Sequence, residues 1–137
     1  MSGEKDLAKL IASMEPVLLP QEYVFATFET YDYQMLQQLK PISTFLEKEG
    51  MSVIIEKHLA DKQKIAYSGV FKCITLNVHS SLDAVGLTAA ISKKLTQSNI
   101  SANVVAGYYH DHIFVSTKDA AQAVKDLKDL AKNGLVN

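Results

Sequence analysis

The sequence holds a single cysteine, Cys73, among 137 residues. One thiol cannot build a disulfide framework, so an apolar core has to hold the fold, and a reducing compartment is the simpler setting. Cys73 lies inside an apolar run, where a free cysteine behaves as a small buried hydrophobe. Excess charge is lacking too, with a formal net charge of −1. The lysines are scattered, so there is no electrostatic footprint for nucleic acid or an acidic membrane. Basic residues interleaved with sheet-face aromatics, the pattern of an RNA-binding sheet, are missing. No apolar run approaches the ~20 residues of a membrane-spanning helix. The opening MSGEKDLAKL is too charged for a secretory signal. A cytoplasmic protein with neither a nucleic-acid nor a membrane partner is expected. No nucleophile, histidine and acid stand around a recognisable elbow, so no acyl-transfer site and no enzyme is expected.

What is there is ordinary globular material, 47% hydrophobic and 21% charged, enough for one domain or two small modules sharing a core. Leu7, Leu10, Ile11 and Met14 recur at helical spacing, with Ser2 or Gly3 as weak caps and Pro16 as the stop. Val17–Leu19 is a short apolar arm limited by Pro20. Glu22–Glu29 reads as a buried strand, with Tyr23, Phe25 and Thr27 on one face and Val24, Ala26 and Phe28 on the other. Asp32 caps a short helix carrying Met35, Leu36 and Leu39, and Pro41 stops it. Residues 41–49 and 51–56 form two strands about a turn at Gly50. Glu56–Lys64 is a short polar helix with Leu59 inward and His58 solvated. Tyr67–His79 is the next strand, bent near Gly69. Its residues Ile74, Leu76 and Val78 face helices, while Cys73, Thr75, Asn77 and His79 share the other face.

The second half repeats that order. A loop, Ser80–Gly86, leads to a helix with Leu87, Ala90, Ile91 and Leu95 inward and Asn99 at its end. Residues 100–109 and 112–117 form a hairpin. Asp119–Lys132 is the last helix, with Ala120, Ala123, Val124, Leu127, Leu130 and Ala131 as its stripe and Lys125–Asp129 paired outside. Each half therefore reads strand, helix, strand, strand, helix, which is the ferredoxin-like order. The second half lacks a last strand, and Val17–Leu19 is expected to supply it. The fold class is α+β: two tandem ferredoxin-like βαββαβ modules with antiparallel sheets and helices on one face.

Two motifs carry possible chemistry. In the loop, Ser80 and Asp83 stand at capping-box spacing. The same loop offers helix-start amides for a carboxylate, Gly86 for close approach, and Asp83 for an ammonium group. A capped helix and a site for an α-amino acid both fit these residues. The second motif is His110-Asp111-His112. Alternate strand residues share a face, so both imidazoles could point together, with His79 as a third ligand if the fold brings it near. A zinc site would need further ligands, and a polar hairpin turn containing Asp111 is the expected alternative. No metal and no cofactor is expected.

The phrases PVLLPQEYVFATF, CITLNVHSSLDAVGLTAA and NVVAGYYHDHIFV, in that order, resemble the ACT domain family. The likeness centres on Asp83-Ala84-Val85-Gly86-Leu87 and Asn99-Ile100-Ser101, with Val85 where the family commonly has proline. It implies a stand-alone protein of two ACT-like modules: a degenerate one over residues 1–66, including the N-terminal helix and arm, and a second over 67–137. It further implies a non-enzymatic regulatory protein that binds a small-molecule effector, with an amino acid the expected one, held at the module interface. The site residues it implies are Leu82, Asp83, Ala84, Val85 and Gly86, with Ser101, Ala102, Asn103 and Val104 across the pocket. A homodimer and an attached or partner enzyme under allosteric regulation are implied as well. The first half offers only Glu29–Gln34 at the matching loop, without glycine. The alternative is a protein-interaction module that pairs sheet edges without a ligand.

Overall fold

Asp6, rather than Gly3, caps helix α1 (Leu7–Ser13), its side chain accepting the Lys9 N–H at 3.1 Å. The computed structural model describes residues 3–135, so Ser2, the other expected cap, lies outside it. The chain divides into two units, Met1–Leu19 with Lys72–Asn137, and Pro20–Phe71. Strand β1 (Pro16–Phe28) runs from one into the other. The arm and the strand expected separately are thus one strand. Its prolines fall at its first and fifth positions, and proline is tolerated where a ladder can do without an N–H.

The unit containing the chain ends has strands β4 (Phe71–Leu76), β5 (Asn103–Ala106) and β6 (Asp111–Ser116), ordered β1-β4-β6-β5. The Pro16–Leu19 part of β1 takes the place of the missing last strand. Just before it, the Glu15 carbonyl accepts the Asn77 N–H at 2.9 Å. Strands β5 and β6 pair antiparallel, Asn103 opposite Phe114 and Ala106 opposite Asp111. The turn between them is Gly107–His110, closed by Gly107 N–H to the His110 carbonyl at 2.9 Å. Asp111 therefore opens a strand and does not sit in the turn.

Helices α4 (Leu87–Gln97) and α5 (Ala120–Asn133) pack on each other and on α1. The core joins Leu10 and Met14 of α1, Ile74 and Leu76 of β4, Leu87, Ile91 and Leu95 of α4, Ile113 and Val115 of β6, and Ala123, Leu127 and Leu130 of α5. Each large side chain fully buried there contributes about 1.5–3 kcal/mol. The helical spacing in the sequence located these faces. The expected Lys125–Asp129 pair is replaced: Asp129 bonds Lys94 of α4 and the side chain of Asn133. The turn-spaced lysine lost to one that packing brings alongside. Asp126, also on α5, is buried, although the stripe placed only apolar residues inside.

The other unit, Pro20–Phe71, holds α2 (Tyr33–Leu39), β2 (Ser43–Glu47), β3 (Gly50–Glu56) and α3 (Lys57–Lys62), with strand order β2-β3-β1. Asp32 caps α2 as expected, accepting the Met35 N–H at 2.7 Å. Val24, Leu39, Val53, Ile55 and Ala60 form its core. In α3 the buried residue is Ala60, while the expected Leu59 is half-buried. The helix is too short for spacing alone to fix which face turns inward. Gly50 is required for close approach as much as for its φ of +154°: a Cβ there would lie 2.4 Å from the Phe28 carbonyl oxygen. Among the described residues no helix is long and apolar enough to cross a membrane.

Candidate functional site

The loop between β4 and α4 is the centre of the site that the sequence suggests. It is held by its own backbone rather than by caps. The Asp83 N–H donates to Ser81 Oγ at 3.1 Å, and the Ala84 N–H to the Ser81 carbonyl at 3.0 Å. Neither Ser80 nor Asp83 caps α4. Gly86 is the N-cap, with φ +103°, and it makes no side-chain cap bond. A positive φ favours glycine over the oxygen-bearing residues that usually cap, so the expected capping box does not form. Leu82 and Val85 are 71% and 83% exposed, and Asp83 is exposed between them.

The remaining expected residues divide by face. Ala84, Ala102 and Val104 pack against the hydrophobic core of this unit, so they can offer a ligand only backbone groups. Ser101 and Asn103 are exposed. The Asn103 side-chain amide donates to the Phe114 carbonyl at 3.3 Å. Strand β6 lies between β4 and β5, so the loop that follows β4 and the start of β5 are not strand neighbours.

Beside the loop lies a group of aromatic and imidazole rings. His79 has its centroid 5.4 Å from that of Tyr109 and 6.3 Å from that of Tyr108, and the two tyrosines meet edge to face at 4.9 Å. His110 Nδ1 faces the Val78 carbonyl at 3.3 Å, and a carbonyl only accepts, so Nδ1 carries the proton. His112 Nδ1 is 2.9 Å from Thr75 Oγ1. The two histidine rings lie nearly perpendicular, 6.5 Å apart, each engaged with a different group of β4 or the turn after it. Among the described residues no set of three His, Cys, Asp or Glu side chains is placed to hold a metal ion. Burial pushes the His112 imidazole below its ordinary pKa, His110 adds to that, and Asp111 opposes it. Burial likewise raises the Asp111 carboxyl. Cys73 is fully buried and its thiol is pushed up to about 11, mainly by burial, which suits a packing residue and not a nucleophile.

A second polar surface belongs to the other unit. Gln21, Glu22, Lys57, His58 and Asp61 line an open cleft of about 170 Å³. Lys57 Nζ pairs with Asp61 Oδ2 at 2.9 Å, and the Tyr67 hydroxyl donates to Asp61 Oδ1 at 2.6 Å. Lys57, Asp61 and Tyr67 satisfy one another.

Sequence reasoning missed the residues that lie against the loop. The Glu4 N–H donates to the His79 carbonyl at 3.0 Å, and the Ser81 N–H donates to the Glu4 carbonyl at 2.9 Å. Leu7 of α1 rests on Gly86. Gly3 was the one available signal, a glycine ahead of a helix that it does not cap.

ACT domain models match the chain twice, over residues 2–72 and 70–129. No protein of curated function matches it. A crystal structure from Vibrio cholerae, of a protein of unknown function described as a possible transport protein, is 46% identical over 93% of this chain and 97% of that one, with a TM-score of 0.83. The regulatory subunit of aspartate kinase from Thermus thermophilus, in its ligand-free form, is 7% identical over 86% of this chain and 97% of that one, with a TM-score of 0.59. Aspartokinase III of Escherichia coli, in complex with aspartate and ADP, is 10% identical over 83% of this chain and 32% of that one, with a TM-score of 0.60. Two family matches that together run nearly end to end, and a strand order that completes the second module from the N-terminal arm, lead to one conclusion: the chain belongs to the ACT domain family.

Proposed function

We propose that this protein is a non-enzymatic regulatory module that binds an amino acid at the loop Leu82–Gly86. In chain order the two modules run over residues 1–66 and 67–137, and the second carries the site. The observation that carries the reading is the start of α4. Its N-cap is a glycine without a side-chain cap, preceded by an exposed acid, Asp83. First-turn amides and the helix dipole suit an α-carboxylate, and Asp83 suits the α-ammonium group. Ser101 and Asn103, with the backbone of Ala102 and Val104, form the facing wall when the sheet of a second copy completes the pocket in a homodimer. Likeness of fold to the regulatory subunit of an aspartate kinase supports a regulatory role over a catalytic one.

Thermal shift against the common L-amino acids, one at a time, tests this. A ligand at a hundred times its Kd adds about 2.7 kcal/mol. At about 2.1 cal/mol/K per residue of unfolding entropy, that raises the Tm by roughly 9 °C. No shift with any amino acid at millimolar concentration refutes the amino-acid reading.

A second reading has its own observation. Strand β2 pairs only with β3 in its unit and exposes Phe45 and Leu46, 72% and 67% accessible. An open, apolar edge is a template for strand addition by another chain. Cross-linking that captures a stable protein partner, indifferent to amino acids, favours this reading over the first.

A further inference from the structure

We infer that the segment Gly3–Leu7 is a strap that closes over the β4–α4 loop and must lift before the loop can take its ligand. The inference rests on the amino-acid site proposed above and assigns it a control. Both ends of the loop are covered by the same short segment. At one end Glu4 bridges Ser80 in parallel, exchanging backbone bonds of 3.0 Å with the His79 carbonyl and 2.9 Å with the Ser81 N–H. At the other end Leu7 lies 3.0 Å from where a Gly86 side chain would begin. The amide of Ser81 is therefore spent on the protein's own chain, and the approach that Gly86 would give a ligand is filled by a leucine.

The strap is fitted to this position. A Cβ at Gly3 would stand 2.6 Å from the Ser80 carbonyl carbon and 2.7 Å from both His79 O and Ser81 N. These are backbone atoms, which cannot swing aside, so only glycine allows the two chains to lie so close. Glu4 turns its carboxylate back on its own chain: Oε1 accepts the N–H groups of Lys5 and Asp6, each at 3.0 Å. Those bonds hold its carboxyl below the ordinary value. Beyond the strap the attachment changes character. Leu10 and Met14 of α1 are buried in the core. The strap can lift with the first turn of α1 frayed, while Leu10 and Met14 keep the rest of the helix docked. Segments held by few bonds and little burial open locally, without global unfolding.

The expected behaviour is quantitative. If ligand binds only the open form, its apparent Kd is the intrinsic Kd divided by the open fraction. Gly3→Ala forces the strap off, so the same factor should appear in two measurements on the full chain. Amide hydrogen exchange at Ser81 should speed up at least ~10-fold, with exchange in α4 and β6 unchanged. Affinity for the amino acid giving the largest thermal shift should rise by that same factor. Leu7→Ala, which frees the other end, should move both readouts the same way. Unchanged Ser81 exchange in both variants overturns the strap, and so does faster exchange spread through α4 and β6, which would make the segment a structural staple. Local release with unaltered affinity for a ligand that does bind overturns the control. Local release with no amino acid bound by any form sinks the amino-acid reading instead, and leaves the opening of the strap demonstrated.

Discussion

Replacing Asp126 by alanine is expected to stabilise the protein. Asp126 sits on α5 and is 8% exposed. Its Oδ1 accepts from Gln122 Nε2 at 2.8 Å, while among the described residues its Oδ2 has no partner and is buried. A buried acceptor left unpaired costs about 1–3 kcal/mol, and the bond to Gln122 returns about 1. Alanine removes both terms and restores roughly 0.5 kcal/mol of helix propensity. Gln122 is exposed, so its amide recovers water when the carboxylate is gone. Alanine also avoids the overpacking that leucine would risk. The balance is a gain of about 1 kcal/mol after a small allowance for the space left behind. For 137 residues that is roughly 3–4 °C in Tm. Urea denaturation should show the midpoint rising by about 0.5–1 M with the slope unchanged. Gln122→Ala is the control: it strips the remaining partner from a carboxylate that stays buried, and should cost about 1 kcal/mol or more. The two ends of one hydrogen bond then respond with opposite signs. A D126A protein less stable than its parent would refute the reasoning, because it would mean that Oδ2 is satisfied.

Other outcomes follow from the site and the sheets. Asp83→Ala should weaken binding of an α-amino acid at least about tenfold by calorimetry while leaving the free protein's stability within about 0.5 kcal/mol, since the side chain is exposed. His112 has its folded pKa depressed by burial. The stability it gives is present above its ordinary value and lost as pH falls through the folded one, so melting temperature should drop on acidification through the histidine range, and less so in His112→Gln. Asp111 has its folded pKa raised by burial, so its contribution is present below the ordinary carboxylate value and lost as pH rises. Asp111→Asn should accordingly melt higher than the parent at neutral pH. Gly50→Ala places a Cβ 2.4 Å from the Phe28 carbonyl and should cost about 1–3 kcal/mol, read as a lowered urea midpoint.

Much of the fold was legible because it rests on local pattern. Leu87, Ala90, Ile91 and Leu95 recur at the helical period, and all four are buried. Ile74 and Leu76 alternate with Thr75, and the strand puts them in the core. Asp32 precedes a short helix and caps it. The places where local pattern failed are instructive. Ser80 and Asp83 have the spacing of a capping box, yet Gly86 is the N-cap, because the loop runs three residues past Asp83 and Leu7 packs where it ends. Leu59 loses to Ala60 in a helix of six residues, too short to carry a periodic signal. Of the candidate site, the loop was legible. The inward turn of Ala84, Ala102 and Val104 was not, because core packing set it.

By itself the sequence determined the order of strands and helices, the inward faces of α1 and α4, that a reactive thiol and excess charge are lacking, and that the N-terminal arm is a spare strand for the second half. These depend on periods of two and 3.6 residues and on caps, which act within a few positions of chain. Tertiary structure decided which distant groups meet. It set Glu4 against Ser80 and Ser81, Leu7 against Gly86, Thr75 against His112 and Lys94 against Asp129, and left Asp126 half-satisfied in a helical layer. Each such pairing depends on strand order and on the rotation of one helix against another, and no stretch of local sequence encodes either.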